Sequence, residues 1–113
     1  MPHLVILYSG NLDHPPAMGG TDMGALCRRL CDALLTVRDE QDRQVFPTGG
    51  TRVLAFPAAH WSIADGGAAG EAAGRGGDYA FVYLNLRMAQ GRSAEVHRRT
   101  GETMEAVCKA HFA

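Results

Sequence analysis

The chain has 113 residues, 46% hydrophobic and 20% charged, the size and make-up of one compact domain spanning residues 1–113 and too little for two of ordinary size. Eleven basic against twelve acidic side chains leave a net charge of -1, so the basic excess that drives nucleic-acid binding is missing and no nucleic-acid partner is expected. The longest wholly apolar run, Leu4 to Leu7, is far too short to span a bilayer, and neither a leader pattern nor a basic amphipathic stretch points to a membrane, so the chain reads as cytoplasmic.

The first element is His3 to Tyr8, a short apolar run bounded by the turn-rich stretch Ser9 to Pro16. It predicts a strand buried on both faces, of the kind favoured in parallel sheets. After the Pro/Gly loop, Thr21 or Asp22 can cap a helix of about four turns. Its apolar stripe runs Met23, Leu26, Cys27, Leu30, Ala33, Leu34 and Val37. The polar run Asp39 to Arg43 ends this helix, and Phe46 to Gly50 reads as a turn into a second strand, Thr51 to Phe56. Strand, helix and strand form a crossover unit, expected to be right-handed.

Residues Ala64 to Gly77 are rich in glycine and alanine. Their spacing fits neither a dinucleotide fingerprint nor a phosphate loop, because no Gly-Lys-Ser/Thr follows, so a flexible surface loop is expected. Asp78 to Arg87 then alternates, with Ala80, Val82, Leu84 and Leu86 on one face and Tyr79, Phe81, Tyr83 and Asn85 on the other. One face suits helices, and the other a pocket or a subunit contact. Ser93 is placed to cap a last helix whose stripe is Val96, Thr100, Met104, Val107 and Cys108. The order is one complete strand-helix-strand unit and a second without its closing strand.

Three cysteines cannot all pair within one chain, and Cys27, Cys31 and Cys108 read as small core hydrophobes. The five histidines are scattered without a ligand-spaced pair, so no metal site is expected. Chemical content begins at Met1-Pro2, directly ahead of the first strand. Methionine trimming would leave Pro2 as a free secondary amine, and an apolar setting or nearby cations lower the pKa of such an amine and make it a base near neutral pH. Arg52 stands at the entrance to the second strand, while Arg92 lies in Gly91-Arg-Ser93, where a helix N-terminus adds donors for an anion. Together these arginines can bind a carboxylate.

Several stretches then carry a family resemblance: Met1-Pro-His-Leu-Val-Ile, Phe46-Pro47 with Gly50 and Arg52, Ala64-Asp-Gly66, Asp78-Tyr-Ala-Phe-Val82, Gly91-Arg-Ser93, and the ending His-Phe-Ala. In that order they resemble the 5-carboxymethyl-2-hydroxymuconate isomerase family of the tautomerase superfamily. The resemblance implies an α/β fold of duplicated β-α-β units, with a mixed sheet and two helices packed on one face, here without the closing strand of the second unit. It implies an isomerase that needs no metal or organic cofactor. Pro2 would be the general base, Arg52 the residue stabilising charge on the dienolate, and Arg92 a binder of substrate carboxylate. The substrate implied is a small carboxylated enol, in aromatic-compound breakdown, and the assembly a homo-oligomer, specifically a trimer. A neighbouring subunit is expected to cover the open sheet edge. Rival expectations are a different enol or unsaturated acid as substrate, or a non-catalytic binding or assembly module of the same fold.

Overall fold

The computed structural model describes residues 2–74 and 79–113. In chain order the elements are β1 (His3–Ser9), two short 3-10 turns (Gly10–Asp13 and Pro16–Met18), α1 (Met23–Leu34), β2 (Arg52–Ala58), α2 (Ala68–Ala72), β3 (Val82–Arg87) and α3 (Ala94–Phe112). The sheet is mixed, in the order β2-β1-β3: β1 pairs β2 in parallel and β3 antiparallel. Its apolar β-branched and leucine content suits β1 to the centre, where both backbone edges are hydrogen-bonded.

Alternation along β1 sends Leu4, Ile6 and Tyr8 into a core shared with Leu26, Leu30 and Leu34 of α1 and Val96 of α3. Leu4, Ile6, Leu26 and Leu30 are fully buried. Both long helices therefore lie on one face, as the resemblance implies. The expectation that β1 is buried on both faces is corrected, because no helix of the described residues covers the other face and Leu7 on it is 46% exposed.

Asp22, rather than Thr21, caps α1, accepting a hydrogen bond from the Ala25 N–H at 2.9 Å. The helix stops at Leu34, about a turn short of the expected length. Thr36 bonds back to the Ala33 carbonyl, and Val37 leaves the helix but stays in the core, where its carbonyl accepts from the Val45 N–H. Asp39 then fixes the following turn by accepting the N–H groups of Gln41 and Arg43. Phe46, which reads in the sequence as part of a turn, is 2% exposed and belongs to the core.

The Gly/Ala-rich stretch is also corrected in part, since Ala68–Ala72 is helical. Asp65 starts that turn, with its carboxylate accepting the N–H groups of Gly67 and Ala69 at 3.0 Å each. Residues 75–78 of this stretch and of the expected third strand lie outside the described residues, and the strand itself begins at Val82. Ser93 caps α3 as expected, accepting from the Val96 N–H and donating to Glu40. Inside α3 the buried Thr100 hydroxyl donates to the Val96 carbonyl, so no polar group is stranded there.

Candidate active site

β1 begins one residue after Pro2, and parallel pairing sets β2 beginning directly beside it. Pro2 is buried, and its carbonyl accepts the Arg52 N–H at 3.2 Å, so the base and the first arginine expected from the sequence share one end of the sheet. Proline suits this position because it lacks the N–H that a ladder residue would donate. Met1 lies outside the described residues.

The Arg52 side chain is exposed, and its guanidinium lies 3.3 Å from the His3 ring. A guanidinium can only donate, so His3 Nε2 is the acceptor in this contact. Antiparallel pairing brings Arg87, the last residue of β3, to the other side of His3. The sequence places Arg87 at a strand end without giving it a function. Period-two alternation alone puts it on the exposed face, but only the register shows that it flanks the same residue as Arg52.

Arg92 stands at this end too, because β3 runs back toward the start of β1 before the chain enters α3. Its guanidinium donates to the Val45 carbonyl at 3.0 Å, beside the buried segment Val45–Phe46. Nearby, the N–H groups of Arg43 and Gln41 and the charges of Arg43 and Arg92 hold the Asp39 carboxyl below its ordinary range. Phe81, on the strand face expected to suit a pocket or a subunit contact, lies away from Pro2 within one chain. Its N–H meets Ser9 Oγ, at the far end of β1 and roughly 20 Å from Pro2. A cleft of about 250 Å³ between Asn11, His14, Trp61 and Tyr79 likewise opens at that far end and contains none of Pro2, Arg52 or Arg92.

Cys27, Cys31 and Cys108 are free and partly buried, with burial raising the thiol pKa of Cys27 and Cys108. Among the described residues no three His, Cys, Asp or Glu side chains gather as metal ligands. No helix of the described residues is long and apolar enough to cross a membrane.

The fold matches a crystal structure of a 5-carboxymethyl-2-hydroxymuconate delta-isomerase with a TM-score of 0.90 and 65% sequence identity, over 98% of this chain and 70% of that one. The fold and the matched sequence define an isomerase of the tautomerase class. A second relative, the 5-carboxymethyl-2-hydroxymuconate Delta-isomerase of Escherichia coli, is 27% identical over 113 residues, covering all of this chain and 74% of that protein. The family model for 5-carboxymethyl-2-hydroxymuconate isomerase matches residues 2–113, and the chain belongs to that family.

Proposed function

We propose that the chain isomerises 5-carboxymethyl-2-hydroxymuconate or a close relative of that acid, with the Pro2 nitrogen as general base once Met1 is removed. The observation that carries this reading is the meeting of Pro2 and Arg52 at one sheet end, in a chain that matches the isomerase family from residue 2 onward. The free amine takes the proton of the 2-hydroxyl group, the O–H electron pair forms the carbonyl, and the diene electrons shift to the distant carbon. That carbon receives the proton back from the prolinium, so the products are a conjugated keto acid and the regenerated amine.

Burial disfavours the protonated amine, keeping a basic lone pair available near neutral pH. Arg52 stabilises the negative charge that spreads over the dienolate, and Arg92 binds a carboxylate. Its Val45 contact occupies one N–H of five and leaves the others for an anion. The whole chain acts as one domain in the cytoplasm and uses no cofactor, in keeping with the family resemblance.

The active form is a homo-oligomer, a trimer by that resemblance. Two features support assembly. The radius of gyration is 16.3 Å, against about 13 Å for a compact globule of this length. Leu7, Leu54, Phe56 and Tyr83 are 39–55% exposed on the helix-free face, an apolar surface of the kind that subunits cover. Ketonisation kinetics of the wild type and Pro2→Ala, with intact mass to establish the terminus, test the proposal. A processed Pro2 terminus and loss of about 100-fold or more in kcat on substitution are expected. Undiminished turnover by Pro2→Ala would overturn it.

A further inference from the structure

On the helix-free face, cross-strand register arranges the sheet in three rows. Arg52, His3 and Arg87 form the row next to Pro2, and the two rows beyond it, which include Leu54, Val5, Phe56 and Leu7, carry no charge. Both arginines of the first row are exposed. Among the described residues, Arg28, Arg43, Arg98 and Arg99 are each paired with a carboxylate. Among the described residues Arg52 meets only the His3 ring, and no hydrogen bond or ion pair engages the Arg87 guanidinium. Two strand spacings separate the arginines, about 10 Å at the backbone. Long side chains over that span can grip both ends of a six-carbon diacid lying across His3.

The geometry points to Arg87 as a further carboxylate-binding residue, which with Arg52 holds two carboxylates of a dicarboxylate or tricarboxylate substrate at the Pro2 end of the sheet. This inference rests on the isomerase reading above, whose substrate class carries three carboxylates: two from the muconate and one from the carboxymethyl arm. Arg52 and Arg87 supply two guanidiniums in this row, while the Arg92 guanidinium is held on the Val45 carbonyl. An uncompensated pair of cations in one row repels, and an anion bridging them relieves that repulsion. Arg87 therefore sets selectivity for polyanionic over monoanionic enols.

Calorimetric titration with adipate and with hexanoate tests the inference, because neither probe reacts and neither needs a basic Pro2. Arg87→Gln is expected to weaken adipate binding about tenfold while leaving hexanoate binding within about twofold, and Arg87→Lys to retain most of the adipate affinity. Equal effects of Arg87→Gln on the two probes, or no effect on adipate, would overturn the assignment. So would a wild-type protein that binds both acids equally. Failure of the isomerase reading has a separate signature: Pro2→Ala turns over as fast as the wild type, whatever the titrations show.

Discussion

Replacing Phe46 with alanine tests whether the irregular segment between α1 and β2 is anchored by core packing, as its burial requires. The ring is 2% exposed and lies in the segment whose Val45 carbonyl holds the Arg92 guanidinium. A buried phenyl ring removes about 150 Å² of apolar surface from water, which at about 25 cal/mol per Å² is about 4 kcal/mol. Measured truncations of buried aromatics cost about 3–5 kcal/mol, in line with that figure. For a chain of 113 residues each kcal/mol moves the melting midpoint by about 4 °C, so Phe46→Ala should lower it by about 12–20 °C. Phe46→Leu keeps most of the volume and should cost under about 1.5 kcal/mol. Thermal unfolding followed by circular dichroism reads both variants. On folded Phe46→Leu protein, steady-state kinetics should show a raised KM with kcat nearly unchanged, because the carbonyl that orients Arg92 shifts. A midpoint drop below about 4 °C for Phe46→Ala would show that the segment is not held by this ring, and the account of how Arg92 is positioned would fail.

Other outcomes follow from single contacts. Ser93→Ala removes the α3 cap and the bond to Glu40, and should cost about 1 kcal/mol in a denaturant titration. Burial, followed by the hydrogen bond and charge of Asp13, pushes the Tyr8 phenol from 10.0 up to about 12. The unfolded chain releases this proton first, so stability falls as pH rises from about 10 to 12, and Tyr8→Phe should flatten that limb and remove the late absorbance step at 295 nm. His111 accepts from Arg29 and bonds Thr21, which ties the end of α3 to the start of α1. Burial and then the Arg29 charge lower its pKa from 6.5, so the unfolded chain binds a proton that the folded chain resists. Stability should therefore decline as pH falls below about 6.5, and less steeply in His111→Gln.

β1 was legible in the sequence as an apolar run between turn signals, and α1 and α3 as helical stripes, with Leu26, Leu30 and Leu34 of α1 recurring about every four residues. Phe46 was not legible as core, since a lone aromatic before Pro47 has no period and its burial depends on contacts distant in sequence. The helix at Ala68–Ala72 hides behind glycines that weaken helical propensity. Its readable signal was Asp65, an acceptor two and four residues ahead of the N–H groups it caps. Pro2, Arg52 and Arg92 could be named individually from the sequence. Register then joined Pro2 to Arg52 and brought Arg87 beside His3, a pairing of residues 3, 52 and 87 that no local pattern encodes. The exposed side of β1 was misjudged for a related reason: an apolar run announces two faces to be covered but does not say by what.

The central claim is that a free Pro2 nitrogen removes the substrate proton. It is tested most directly by comparing ketonisation of 5-carboxymethyl-2-hydroxymuconate by two homogeneous preparations, one beginning at Pro2 and one retaining Met1, each verified by intact mass. In the second, the Pro2 nitrogen is an amide without a basic lone pair, so kcat/KM should fall by about 100-fold or more. Equal kcat/KM for the two preparations would contradict the account.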